Sequence, residues 1–340
     1  MLSKYLNRGR LLIRAAKMAV SSRFISHKPF FISHRITGRC NCLCKTCLWR
    51  GNFNEEKNTV KIIKAYERAY SAGFVSTTFW GGEPLIRNDI EEITAACKRT
   101  GFTVGLITNG YYLPEKAERL SKTLDFLIVS IDLPSEKHDL MRGINGLFER
   151  AIEGIKQAKL YNPKLKVFVN SVVSQLNYPE VIGMAKLAQK LDISVTFEST
   201  NTGKTLDGSK EVNLRLKPEI EKQAFEKIMF LKREGLPINN SYSYLRMFAA
   251  GRTIYKCYNP KVSIGVAPDG SISTCFAREK PIGNFYVDDI SRIILHPDMI
   301  KFRKMAESCS SCVDTGAIEC SFFYSLVPEV ILNTIRLFYR

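Results

Sequence analysis

Two rhythms of apolar and polar positions take turns along this chain. Apolar, β-rich runs at 31–36, 75–80, 103–108, 126–131, 165–173 and 193–197 predict strands. Between them, stretches near 58–72, 88–100, 114–122, 146–160 and 178–190 carry helical spacing. Six β–α units in succession predict a parallel sheet with right-handed crossovers, either open or curled into a partial barrel. A longer helical stretch at 217–234 ends on Gly235-Leu236-Pro237, a boundary signal. The rhythm then changes: 262–267, Pro268-Asp269-Gly270 and 271–275 predict a β-hairpin with a tight turn. The chain closes on a short apolar helix near 327–338, and residues 2–20 predict a basic amphipathic helix too polar to span a bilayer.

Composition narrows the class. With 340 residues, 45% hydrophobic and 24% charged, the chain has a globular composition and enough length for a large domain plus a smaller appendage. The net charge of +17 is uneven, because residues 1–54 hold eleven Lys or Arg and no Asp or Glu. Such a block can meet nucleic acid, an anionic membrane surface or an acidic partner. For the N-terminal arm three readings stand: a helix packed on the barrel, a membrane-surface contact through residues 1–26, or an organellar transit peptide. The ten cysteines cluster at short spacings without a visible secretory signal, which points to metal ligation in a reducing compartment rather than to a disulfide scaffold. The expected location is the cytoplasm, with the arm peripheral at the inner membrane face.

The chemistry concentrates where the first predicted strand ends. Cys40-Asn41-Cys42-Leu43-Cys44-Lys45-Thr46-Cys47 places four thiols in eight residues. Thiolates at such spacing bind zinc or iron–sulfur clusters. A structural zinc site takes four ligands, usually from two Cys-x-x-Cys knuckles. Here Cys40, Cys44 and Cys47 are the well-spaced thiolates, and Cys42 is the interloper, read as a bystander pointing away from the cluster, with a substitute ligand as the alternative. Three protein ligands on a four-iron cluster leave one iron open, a mark of reactivity.

The segment from Ile36 to Cys47 resembles the signature of the radical S-adenosylmethionine superfamily, three cysteines at x3 and x2 spacing directly after the first barrel strand. That resemblance implies a 4Fe–4S cluster on Cys40, Cys44 and Cys47 that binds S-adenosylmethionine. It implies reductive cleavage to a 5′-deoxyadenosyl radical, which abstracts hydrogen from a substrate. The electron would come from a donor such as flavodoxin or ferredoxin. Gly81-Gly82-Glu83-Pro84 after the second strand is similar to the family's motif for the methionine amino group, Glu83 offering an acceptor to the ammonium. Asn109, Ser130, Asp132 and Asn170 at strand ends are expected to line the cosubstrate cleft, and Arg142 to meet its carboxylate. Glu198 would face cosubstrate or substrate. Solvated rim carboxylates are the plain alternative for Asp132 and Glu198. His27, His34, His138 and His296 show no metal-type spacing and read as structural, and Cys97 reads as core.

Cys257, Cys275, Cys309, Cys312 and Cys320 form a second group. By chemistry alone, zinc and 4Fe–4S are both credible there. The order Cys-x12-Gly-x4-Cys, then Cys-x-x-Cys, resembles the twitch extension, a shortened SPASM extension. It implies a second 4Fe–4S cluster on Cys257, Cys275, Cys309 and Cys312 that assists electron transfer, with Cys320 unassigned. The expected architecture is therefore α/β: a basic helix over 1–30, a partial (β/α)6 barrel over 31–236, a β-hairpin-plus-helix cluster domain over 250–322 and an apolar helix over 323–340. The competing class is a non-catalytic metal protein, either a zinc-stapled binding module or an electron carrier. The substrate stays open between a peptide, a cofactor precursor and a membrane lipid, and no specific nucleic-acid partner is indicated.

Overall fold

A computed structural model describes residues 20, 22–26, 28–49, 55–251, 255–273, 275 and 281–339. Most of the expected N-terminal arm, residues 1–19, lies outside the described residues.

Six parallel strands run in sequential order: β1 (Phe31–Thr37), β2 (Ser76–Gly81), β3 (Thr103–Thr108), β4 (Phe126–Ser130), β5 (Lys166–Val173) and β6 (Ser194–Ser199). Crossovers pass through α1 (Thr59–Ser71), α2 (Ile90–Thr100), α3 (Leu113–Thr123), the pair α4 (Lys137–Arg142) and α5 (Leu147–Tyr161), and α6 (Val181–Lys190). This is the order of a partial (β/α)6 barrel. Each predicted strand and crossover helix is present, with ends shifted by a few residues at most.

Local chemistry explains the elements. The Asn58 side chain accepts the Lys61 N–H at 3.0 Å and caps α1. Helix α1 then buries Ile62, Ala65, Tyr66 and Ala69, a helical stripe against the sheet. Strand residues alternate between two faces. His34 and Phe79 stack with Tyr66 of α1, so the even positions of β1 and the odd ones of β2 face the helices. The opposite parity, Ser33 and Arg35 with Thr78 and Trp80, faces the barrel interior. Register carries that inner face onward through Gly105, Phe126 and Lys166 in one row, and through Ser130, Asn170 and Thr196 in another.

After β6 the chain adds α7 (Pro218–Arg233) and α8 (Tyr242–Ala249), then the expected hairpin of β7 (Ser263–Val266) and β8 (Ser271–Ser273). Its turn is closed by the Gly270 N–H to the Ala267 carbonyl at 2.9 Å. At Gly270, with φ +91°, a Cβ would meet the Tyr286 ring at 2.2 Å, so only glycine fits. The hairpin does not form a sheet of its own. Strand β7 pairs in parallel with β1, Phe31 opposite Ser263 and His34 opposite Val266, and β8 and β9 (Gly283–Asn284) continue outward. The result is one nine-stranded sheet. Helices α9 (Pro297–Ala306), α10 (Thr315–Tyr324) and α11 (Pro328–Tyr339) follow. No single described helix is long and apolar enough to cross a membrane, although α10 and the start of α11, bent by 112°, pass that test together.

Candidate active site

The cysteine loop leaves the C-terminal end of β1 and is fixed by backbone on three sides. Gly82 donates to the Thr37 carbonyl at 2.9 Å and Glu83 to that of Arg39 at 2.8 Å. A Cβ on Gly81 would stand 2.3 Å from the Thr37 oxygen, and one on Gly82 would stand 2.1 Å from that of Arg39. The paired glycines therefore admit the chain's own backbone at the exit of the loop. From the far side Leu43 donates to the Arg142 carbonyl at 2.8 Å and Lys45 to that of Met141 at 3.1 Å. Leu206 closes the third side by donating to the Leu48 carbonyl at 3.0 Å.

Within the loop Cys40 is exposed, Cys44 and Cys47 are half-buried, and Cys42 is buried at 6% exposure. Cys42 is not a bystander turned outward. Its thiol lies within interaction range of the Cys40 and Cys44 sulfurs, and Asn109 Nδ2 donates to Cys42 Sγ at 3.1 Å. The Cys42 thiol lowers Cys40, and the same thiol, with Arg142 beside it, lowers Cys44 to about 6 against the effect of burial. Burial raises Cys47. Among the described residues no three His, Cys, Asp or Glu side chains converge on one metal-ion position. A four-iron cluster takes one thiolate per iron, and three thiols on one rim, two of them held toward the thiolate, fit that donor set.

The strand ends around the loop are densely bonded. Glu83 is fully buried, and its carboxylate accepts from Leu85 N–H at 2.9 Å, Thr108 Oγ1 at 2.7 Å and Asn109 N–H at 2.6 Å. It clamps β2 to β3. Burial pushes its pKa up to about 7 despite those donors. Pro84 opens the short 3-10 turn that Glu83 caps. Asn109 also donates to Asn41 Oδ1 at 2.8 Å, tying β3 to the cysteine loop. Asp132, 1% exposed, accepts from Arg142 Nε at 2.7 Å and from Val172 N–H at 2.9 Å, so it is no solvated rim carboxylate. Arg142 Nη1 lies 3.8 Å from Cys44 Sγ. Burial opposes the Arg142 charge, yet Asp132 and the cysteine sulfurs hold its pKa above the ordinary value. Ser130 and Asn170 sit side by side in register on the inner face, half-buried.

Glu198 ends β6 and faces the second cysteine group. Its Oε2 accepts the Thr315 N–H at 3.2 Å, and burial together with neighbouring Asp314 lifts it to about 8. Cys257 lies within electrostatic reach of Cys275, Cys309, Cys312 and Cys320, so all five late cysteines gather on one side of the barrel mouth. Burial raises Cys257 and Cys312, and lifts Cys320 to about 12.

One inner residue escaped the sequence reading. Arg35 of β1 is 3% exposed, and its guanidinium lies 5.9 Å from the Trp49 ring centroid. Trp49 in turn meets Trp80 edge-on at 4.9 Å. The available signal was a lone charge inside an apolar strand run.

Residues 35–188 match the Radical SAM superfamily, and residues 257–313 match SPASM, an iron-sulfur cluster-binding domain. The second match reaches from Cys257 past Cys312 and stops short of Cys320. A probable GTP 3′,8-cyclase of Saccharolobus solfataricus is 27% identical over 259 residues, 72% of this chain and 82% of that protein. Among solved structures, Streptococcus suis SuiB bound to S-adenosylmethionine aligns with a TM-score of 0.69 at 16% identity, covering 88% of this chain and 73% of SuiB. The anSMEcpe structure with bound AdoMet and Cp18Cys peptide aligns with a TM-score of 0.66 at 17% identity, covering 90% and 99%. At these identities the two structures speak to the fold.

Proposed function

Since this chain belongs to the radical S-adenosylmethionine superfamily and carries a SPASM-type cluster-binding region, we propose that Cys40, Cys44 and Cys47 hold the cluster that binds the cosubstrate. The chain is a radical S-adenosylmethionine enzyme with a 4Fe–4S cluster and auxiliary iron–sulfur binding. When bound, the first cluster supplies the electron that cleaves S-adenosylmethionine to methionine and a 5′-deoxyadenosyl radical. The observation that carries the residue assignment is the three-sided backbone anchoring of the cysteine loop at the C-terminal end of β1, by the β2 end, α4 and Leu206. Ligands and chemistry collect at that end of parallel α/β sheets.

The chain's own residues have distinct parts. Arg142 keeps positive charge beside Cys44 and is itself oriented by Asp132. Asn109 and Cys42 fix the loop sulfurs relative to β3. The half-buried Ser130 and Asn170 offer hydroxyl and amide groups to the cosubstrate from the inner face. Cys257, Cys275, Cys309 and Cys312 are the proposed ligands of the auxiliary cluster, which adds an electron-transfer station on the substrate side. A radical enzyme of this kind needs a reducing partner, and an acidic flavodoxin or ferredoxin suits a chain of net charge +17.

Anaerobic protein with loaded clusters, given dithionite and S-adenosylmethionine, is expected to yield 5′-deoxyadenosine. The simultaneous change of Cys40, Cys44 and Cys47 to Ala is expected to abolish the product. A fully loaded wild type that makes none would sink the assignment.

A further inference from the structure

Among the described residues, one cation of the barrel interior, Arg35, has no ion-pair partner. Arg35 projects inward from β1, and among the described residues it makes no hydrogen bond or ion pair. Its Nε is sealed from solvent without a partner. The acid whose charge reaches it among the described residues is Asp269, in the hairpin turn. Burying a guanidinium without a hydrogen-bonded counter-ion is costly, and proteins generally pair such a group. A charge kept in that state is poised to receive its partner from outside.

Its surroundings favour an anion. Trp49 lies over the guanidinium, and Trp80, whose Nε1 donates to Ser33 Oγ at 2.9 Å, completes an aromatic wall. The same inner face carries Lys166. The neighbouring inner positions Ser33, Trp80, Ser130 and Asn170 are only half-buried, so solvent and small molecules reach this face. Arg35 also stands apart from the Arg142–Asp132 pair at the β4 end, and beside β7, on the flank that leads to the second cysteine group.

We infer that Arg35, walled by Trp49 and Trp80, seats an anionic oxygen group, carboxylate or phosphate, of the substrate that the enzyme's radical attacks. The bidentate fork of arginine matches both groups. This assignment rests on the radical S-adenosylmethionine reading, and its test separates the two. Trp49 and Trp80 are the only tryptophans among the 340 residues, so intrinsic tryptophan emission reports on this site alone.

The experiment uses full-length, cluster-loaded protein under anaerobic conditions, saturated with S-adenosylmethionine. Pyrophosphate and succinate are titrated separately. A saturable change in emission with either anion supports the site, and the anion that acts names the group. Arg35→Gln is expected to weaken the response at least tenfold, and Arg35→Lys to retain part of it; circular dichroism checks that both variants are folded. No saturable change with either anion, or equal affinity in Arg35→Gln and wild type, overturns the inference. Displacement of the anion by raised S-adenosylmethionine would move Arg35 into the cosubstrate cleft and overturn it as well. Formation of 5′-deoxyadenosine by the same wild-type sample decides the parent reading independently.

Discussion

The two cysteine groups are built in opposite ways. The first occupies eight consecutive residues, and two of its sulfurs are prepared locally: Cys42 lies against Cys40 and Cys44, Arg142 approaches Cys44, and backbone hydrogen bonds pin the loop to the β2 end, to α4 and to Leu206. The second draws its thiols from separated segments, Cys257 before β7, Cys275 after β8, Cys309 and Cys312 between α9 and α10, and Cys320 on α10. There burial dominates and holds Cys257, Cys312 and Cys320 toward the protonated thiol. One site is a preorganised loop, the other a product of tertiary assembly. Because ligand thiols must lose their protons, the fold favours that loss at Cys40 and Cys44 of the first group and opposes it at Cys47 and at Cys257, Cys312 and Cys320 of the second.

Breaking each group in turn gives the sharpest contrast. Joint replacement of Cys40, Cys44 and Cys47 by Ala is expected to remove 5′-deoxyadenosine formation altogether, whereas Cys257→Ala with Cys275→Ala should leave uncoupled cleavage and lose substrate turnover; chromatography of anaerobic reactions separates the two outcomes. Next in size is Arg142→Ala, which strands Asp132 as an unpaired buried carboxylate and should cost about 3–5 kcal/mol in denaturant unfolding. Glu83 sets a pH signature confined to the first region. Its pKa is raised in the fold from 4.5 to about 7, so its protonated form is the favoured one. Its contribution is therefore fully present below pH 4.5 and is lost as pH rises through 7. The loss is on the order of 3 kcal/mol, read as a slope in stability that Glu83→Gln should flatten. The smallest effect belongs to Cys42→Ala. It should keep iron binding, cost about 1 kcal/mol, and move the pH at which the first site loads iron upward, since Cys40 and Cys44 lose the neighbouring thiol.

The sequence made the barrel legible because strand and helix periods are local properties. Strand β3 was read to the residue, and the hydrophobic stripe Ile62, Ala65, Tyr66 and Ala69 announced α1. What stayed hidden was mostly non-local. The pairing of β7 with β1 joins residues more than 200 positions apart, and no period encodes it. Helix α10 is apolar on several sides, so it lacked an amphipathic pattern, and α4, at six residues, was too short to register. Within the site, Gly81, Gly82 and Glu83 were legible as a group at a strand end, but their close approach to the backbone of Thr37, Arg39 and Asn109 was not. The burial of Cys42 beside Cys40 and Cys44 was hidden too, because spacing along the chain says nothing about which way a loop side chain turns.

The pairing of β1 with β7 also sets an order of events during synthesis. Strand β1 emerges about 230 residues ahead of the strand that completes its hydrogen bonding. At roughly 5–20 residues per second its outer edge waits about 10–50 s with unpaired amides and carbonyls. An open strand edge invites pairing with other chains, so the nascent protein must be shielded through that interval. The backbone anchors of the cysteine loop, by contrast, all come from residues up to Leu206, so they are synthesised before the strand that covers the β1 edge.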